Sequence, residues 1–347
     1  MGILIRKPGV LTTIQDYGRY GFQAEGVSPA GVMDRRSAAK ANLLVDNPEQ
    51  EAVLEMMLGG LEVLFETDNV VAVCGAQIPV SLDGKLQKMG TALTVHAGQV
   101  LSFGYVQSGL FVYLAFSGGL LIKNVMGSSS THLKSGVGGV EGRKLQSGDR
   151  LQFRAPVVSV KNQRGRYIEP ENWKKAGETA EIRVLPGPQE DCFSEDGKRI
   201  LYQNRYRITP QSDRMGYRLE VAENPENAAD KVTYSGKETG ITDGIVFGSV
   251  QIPPSGIPIV MMADRQTTGG YPKIATVISE DLPLLAQCAP GTMIRFVQVT
   301  VEEAQNLMRE RKKELLHIAR KFQTEQYEQE RVYRISVNGT WYDVTIT

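Results

Sequence analysis

At 347 residues the chain exceeds the roughly 250 to 300 residues at which single hydrophobic cores give way to several, so two folded units are expected. Lys plus Arg and Asp plus Glu balance at 39 each, which argues against the net field that draws proteins to nucleic acid or anionic membranes. Cys74, Cys192 and Cys288 are widely spaced and odd in number, and His96, His132 and His317 are the only histidines; no disulfide framework and no metal site are expected, and a reduced, cytoplasmic setting fits best.

The opening MGILIRKPGVLTTIQDYGRYGF has too short an apolar stretch for a signal peptide, and no run approaches the roughly 20 apolar residues of a membrane span. A first helix is predicted over Asp34 to Val45, with Asp34 as its cap, Ala38, Ala41, Leu44 and Val45 as its apolar stripe, and Asn47-Pro48 as its stop. Short β-branched runs then recur between turn signals: NVVAVCGAQIPVSLDGK, GLFVYLAFSGG, AEIRVLPGP, GIVFGSVQIP and TMIRFVQVTV. Their spacing reads as a mainly β protein of sandwich or barrel type with few helices. A glycine turn followed by two apolar residues on one strand face occurs three times, in AGQVLSF (Ala97 to Phe103), SGDRLQF (Ser147 to Phe153) and PGTMIRF (Pro290 to Phe296), which favours related β units.

Between Pro156 and Gly177 apolar periodicity disappears, and the linker is placed there. The expected organisation is therefore an N-terminal β-barrel unit over 1–155, a linker over 156–178, and a second barrel over 179–300. A helix follows over 301–324, with Ala304, Leu307, Met308, Leu315, Ala319 and Phe322 at helical spacing, and then a hairpin over 331–347 turning at Asn338-Gly339.

Familiar nucleotide and nucleophile motifs are absent. Gly236-Lys237 is followed by Glu238 and has no upstream glycine at the P-loop spacing, so the chain has no cradle of that kind for ATP; it has no G-x-S-x-G elbow, and no lysine stands between two methionines as at a biotin attachment site. The polar, glycine-rich loops beside strands remain. They are TTIQDYGRYGF, with Gln15, Asp16 and Arg19; GVSPAGVMDRRS, with Ser28, Asp34 and Arg35; and GSSST, in which Gly127 to Thr131, notably Ser130 and Thr131, offer N–H groups and hydroxyls to an anion. The second half adds SDRMGYRLE, with Arg214 and Arg218, and MADRQTTGGYPKIATV, where Asp264, Arg265, Gln266, Thr267, Thr268, Gly269, Gly270 and Tyr271 follow an apolar run.

Several of these stretches, KPGVLTTIQDYGRYGFQAEGVSPAGVMDRRSAAKANLLVDNPEQEAVLE, YLAFSGG, GSSSTHL, SDRMGYRLE, GSVQIPPSGIPIVMMADRQTTGGYPKIATVI and LAQCAPGTMIRF, together resemble the biotin-dependent carboxyltransferase family. That family takes in the C subunit of 5-oxoprolinase, KipA, the allophanate hydrolase subunit 2 proteins and the carboxyltransferase region of urea carboxylase. The resemblance implies two cyclophilin-like β-barrel domains and a KipI-like B subunit as partner. For the 5-oxoprolinase branch it also implies a LamB/YcsF-like A subunit, a small-molecule amide substrate, and ATP-dependent opening of 5-oxo-L-proline to L-glutamate. The alternatives it carries are a KipA-type regulator of a KipI-like kinase inhibitor and a carboxyltransferase for urea or another amide. ATP is then used at the level of the complex, and biotin would not be attached to this chain.

The chemistry implied needs donors for an oxyanion, a cation for a carboxylate and a proton relay, with no side-chain nucleophile. On that reading Gln266, Thr267, Thr268 and the Gly269-Gly270 backbone orient a ureido or amide group, and Arg265 or Arg214 meets a carboxylate. Asp16 or Asp264 carries a proton, and Gln15, Arg19, Ser130, Thr131 and Tyr271 complete the binding surface.

Overall fold

The computed structural model describes residues 2–155, 165–223, 230–236, 242–324, 331–337 and 340–346. The expected mainly β architecture is found, with four α-helices among the described residues. Residues 156–164 of the expected linker and the Asn338-Gly339 turn lie outside the described residues. The flanking strands Arg331–Val337 and Thr340–Ile346 pair antiparallel.

The N-terminal strands form two sheets. One has six strands, in the order Arg150–Gln152, Gly2–Pro8, Leu61–Phe65, Val100–Phe103, Val80–Leu82 and Lys85–Gln87. The other has five, in the order Leu11–Gln15, Val53–Met57, Ser108–Phe116, Asn69–Gln77 and Ala92–Val95. Ile3, Ile14, Leu54, Val63, Val71, Val112 and Phe116 belong to the core enclosed here. Every residue of Ser108–Phe116 is buried, because this strand is covered on both faces, and a strand so placed is apolar without alternation. Its second face, with Phe111, Tyr113 and Ala115, joins a core that continues through the first helix into the C-terminal half. Gly75 sits where the pairing of Asn69–Gln77 with Ser108–Phe116 shifts register; its φ is 106° and a Cβ there would come within 2.4 Å of the Phe111 carbonyl oxygen.

The C-terminal half is a closed barrel of seven strands, in the order Thr179–Pro186, Lys273–Val277, Ser249–Gln251, Ile259–Met261, Gly216–Val221, Tyr206–Ile208 and Met293–Gln298, completed by parallel pairing of the first and last. Of the three glycine-turn repeats, two supply strands of the six-stranded sheet and the third supplies the barrel strand that closes the ring. The first helix, α1 (Arg35–Leu44), starts where expected: Asp34 caps it, its carboxylate accepting from the Ser37 N–H at 2.9 Å. Two short helices, α2 (Glu195–Gln203) and α3 (Leu282–Ala286), escape the sequence reading, although Ser194 caps α2 through the Gly197 N–H. The long helix α4 covers Val301–Thr324.

Polar side chains tie the halves together. Gln287, just after α3, accepts from the Leu110 and Phe111 N–H groups and donates to the Phe111 carbonyl and the Asp34 carboxylate, all at 2.8–3.0 Å. The Trp173 indole donates to the Gly75 carbonyl at 2.8 Å. Arg166 joins Asp46 to the Phe322 carbonyl at the end of α4, at 2.6 and 3.0 Å.

Candidate functional site

The loops singled out in the sequence converge where the two halves meet. The loop Asp16 to Asp34 leaves the edge strand Leu11–Gln15 and leads into α1, and the serine loop lies against it. The anion expected in the Ser128–Ser130 nest is a side chain of the protein itself, Asp16. Its carboxylate accepts from the Ser128 and Ser130 hydroxyls at 2.6 and 2.5 Å, and from the Ser129 and Gly18 N–H groups at 2.6 and 2.8 Å. Beside it, Gln15 donates to the Thr131 carbonyl at 2.9 Å, and the Thr131 N–H and hydroxyl return to the Ile14 carbonyl. Four expected site residues, Gln15, Asp16, Ser130 and Thr131, are thus brought together.

Arg19 is only 1% exposed, and one of its nitrogens, Nη2, donates to the Ser130 carbonyl. Among the described residues its Nε and Nη1 have no acceptor, and neither does the buried Ser28 hydroxyl. Burial pulls the Arg19 pKa below its ordinary value, with Asp16 and Asp264 pulling the other way. Gly138 permits the close fit: a Cβ there would lie 2.0 Å from the Ser130 oxygen and 2.5 Å from Arg19 Nη2.

The second arginine expected to meet a ligand, Arg214, is a clamp between the halves. Its Nε and Nη2 hold both oxygens of Asp264 at 3.0 and 2.8 Å, Nη1 donates to Glu55, and Nη2 also donates to the Gly31 carbonyl at 2.6 Å. Arg214 is 6% exposed and Glu55 2%. Burial pushes the Glu55 carboxyl up, and Arg214, the Met33 N–H and the Tyr113 hydroxyl oppose that rise. Burial likewise works against the charge on Arg214, but Asp264 and Glu55 outweigh it and hold the guanidinium above its usual range. With most of its donors engaged inside the protein, Arg214 is poorly placed to receive a substrate carboxylate. Both oxygens of Asp264 are taken up in this side-on grip.

Arg265 differs from both. It is buried, but its Nε donates to the Ile245 carbonyl at 3.2 Å, Nη1 reaches only the Met262 and Ala263 carbonyls at 3.5 and 3.4 Å, and its guanidinium lies 5.7 Å from the centre of the Phe247 ring. Among the described residues it has no carboxylate partner. Burial lowers its pKa, with Tyr20 and Asp264 raising it and Arg35 lowering it further. Arg35 itself lies over the Tyr17 and Tyr20 rings at 5.3 and 5.7 Å. Arginines from the two halves therefore share one electrostatic neighbourhood. Past Arg265 the loop surfaces. Gln266, Thr268 and Gly270 are exposed, Tyr271 is 48% exposed, and no side-chain hydrogen bond among the described residues holds Gln266, Thr267 or Thr268. Only the backbone is fixed, by pairing of Thr268–Gly269 with Asp243–Gly244 and by the Ile245 N–H on the Thr267 carbonyl at 2.9 Å.

Glu55, Tyr113 and Gln287 are not among the residues that the sequence singled out. Glu55 carried a signal, a lone acid inside the apolar strand VLEMM, where a charge is buried only with a partner. Tyr113 donates to Glu55 at 2.9 Å and accepts from the Asp34 N–H at 2.8 Å, yet it stands in a run that reads as plain core. Among the described residues no group of His, Cys, Asp and Glu could hold a metal ion, and no helix is long and apolar enough to cross a membrane.

Residues 25–298 match the family model described as "Carboxyltransferase domain, subdomain A and B". The chain is 40% identical over 300 residues to the C subunit of 5-oxoprolinase from Escherichia coli (strain K12), covering 86% of this chain and 92% of that protein. It is 37% identical over 297 residues to the C subunit of 5-oxoprolinase from Haemophilus influenzae, covering 86% and 91%. The crystal structure of the K. lactis urea amidolyase matches 91% of this chain at a TM-score of 0.81 and 28% identity, and there this chain spans 20% of a much longer polypeptide.

Proposed function

Because the chain belongs to the carboxyltransferase family, we propose that it acts as the C subunit of a 5-oxoprolinase, in a complex that opens 5-oxo-L-proline to L-glutamate with ATP hydrolysis. The observation that carries this reading is the likeness to two proteins of that name along almost their whole length. The site chemistry supports it: the junction offers arginines that have no carboxylate partner among the described residues, beside a loop of exposed amide and hydroxyl groups, which suits an anionic cyclic amide.

In this proposal Arg265 faces the anionic part of the substrate, while Gln266, Thr267, Thr268, the Gly269-Gly270 backbone and Tyr271 orient the amide. Asp16 and Asp264, whose oxygens are taken up by the serine loop and by Arg214, hold the two loops in place in preference to moving protons. ATP would be handled by a partner, the KipI-like or the LamB/YcsF-like protein. The exposed donors and acceptors of Gln266 and Thr268, with the half-buried Thr267 between them, also fit the ureido ring of biotin carried on another chain; when bound, biotin would supply the carboxyl group to be transferred.

The test is 5-oxoproline-dependent ATP hydrolysis by the reconstituted three-protein mixture. Arg265→Ala should reduce kcat/KM by about one to two decades, the worth of one charge-assisted contact. A mixture that leaves 5-oxoproline untouched overturns the proposal, and an Arg265→Ala complex with unchanged turnover overturns the role given to Arg265.

A further inference from the structure

We propose that Lys273, Asp243 and Gln189 form a clasp that positions the loop from Arg265 to Gly269, which makes Lys273 and Asp243 positioning residues for the reaction. The loop is held at its backbone by the segment Asp243 to Ile245. Thr268–Gly269 pairs with Asp243–Gly244, the Ile245 N–H donates to the Thr267 carbonyl at 2.9 Å, and the Ile245 carbonyl accepts from Arg265 Nε at 3.2 Å. Asp243–Gly244 is not a strand of the barrel, so the barrel's ladder does not fix it. The clasp does. Lys273 Nζ donates to the Asp243 carboxylate at 2.5 Å and to the Gly244 carbonyl at 2.8 Å, and Gln189 Nε2 donates to the same Asp243 oxygen at 3.0 Å. The proposal rests on the functional reading above only in taking Arg265 and its loop as the substrate's contacts.

The clasp is anchored in the barrel. Lys273 opens the strand Lys273–Val277, at the point where its pairing with Ser249–Gln251 shifts register. Gln189 is tied to that residue twice, accepting from the Lys273 N–H on its Oε1 at 3.0 Å and donating its own N–H to the Lys273 carbonyl at 3.3 Å. Lysine is rarely buried without a partner, yet the Lys273 side chain is 3% exposed, while that of Asp243 is 49% exposed. Closing the ring does not call for this ammonium, because strand pairing alone completes the barrel. What the charge adds is a tether from a barrel strand to a segment outside the ring, and a site is held in geometry only as well as the residues behind it are held. The Lys273 bond, ahead of the Gly244 N–H, keeps the Asp243 carboxyl below its ordinary value, so the carboxylate stays charged through the neutral range.

Hydrogen exchange of the full chain tests the clasp. Asp243→Ala should quicken exchange at the Ile245 amide by about tenfold or more, while the Val277 amide, which donates to the Gly248 carbonyl at 2.9 Å, keeps its wild-type protection. Lys273→Met should do the same, and the half-exposed Asp243 keeps the test open if the variant of the buried lysine folds poorly. A folded Asp243→Ala with unchanged protection at Ile245 overturns the clasp. In the reconstituted complex, Asp243→Ala should lower kcat/KM for 5-oxoproline by about tenfold. That loss should be smaller by about threefold or more in an Arg265→Ala background, because the clasp acts through the carbonyl that holds Arg265. Losses that simply multiply, or an unchanged kcat/KM, overturn the positioning role, since a pair that only stabilises the fold has no reason to couple to Arg265. A wild-type complex that leaves 5-oxoproline untouched overturns the functional reading instead, and exchange at Ile245 still decides the clasp.

Discussion

Replacing Arg214 by methionine removes one cation and leaves two buried carboxylates facing each other. In the wild type, Arg214 makes three charge-assisted contacts, two to Asp264 and one to Glu55, and one bond to the Gly31 carbonyl. Each such contact is worth about 1.5 to 3 kcal/mol taken singly, but contacts around one guanidinium are not additive. The better bound is the cost of breaking a buried pair, about 3 to 5 kcal/mol, which arises because the charge left behind has no solvent and no partner. The penalty should depend on pH with a definite sign. Glu55 already has its carboxyl raised above the ordinary value of 4.5, chiefly by burial, with Arg214 as the main opposing influence. An acid raised in the folded state stabilises the fold most below its unfolded pKa, and that contribution is lost as pH rises through the folded value. Removing Arg214 raises the folded value further, so the deficit of the variant should be small near pH 4.5 and approach the full 3 to 5 kcal/mol at about pH 7.5. Urea unfolding followed by tryptophan fluorescence, with wild type and variant compared at both pH values, measures this difference. A deficit below about 1 kcal/mol, or one that does not change with pH, would refute the clamp.

Gln287→Leu keeps the volume but strips the Leu110 and Phe111 N–H groups and the Phe111 carbonyl of their partner, so urea unfolding should show a loss of about 3 kcal/mol; a loss under about 1 kcal/mol would show that water replaces the amide. Asp16→Asn turns one acceptor oxygen into a donor group opposite the Ser129 and Gly18 N–H groups, and hydrogen exchange at one of these amides should quicken about tenfold or more, whereas unchanged protection at both would show that the serine loop does not depend on the carboxylate.

Some of this organisation was open to reading along the chain. Period-two runs and glycine turns pointed to a mainly β chain with the correct first and last helices, because strand and helix signals are local. The short helices α2 and α3 left no such mark. Leu282–Ala286 barely exceeds one turn, and Glu195–Gln203 is only nine residues long and carries Ile200, Leu201 and Tyr202 in one consecutive apolar run, which by periodicity alone reads as a strand as readily as a helix. The loops that meet at the junction were legible too, since strings such as DRQTTGGY and GSSST have little apolar content to explain them structurally.

Residue order alone was enough for the family and for the set of polar loops, but it left open which of their charges the folded chain satisfies. Arg19, Arg214 and Arg265 look alike along the chain, each an arginine in or beside a glycine-containing loop. In the fold, Arg214 meets Glu55 from a strand 159 residues away, Asp16 is enclosed by serines more than 100 residues on, and Arg19 keeps two donors with no acceptor among the described residues. The difference lies in where acceptors fall in three dimensions. A charge is available to a ligand only when the folded chain has left it unpaired, and the order of residues does not record that.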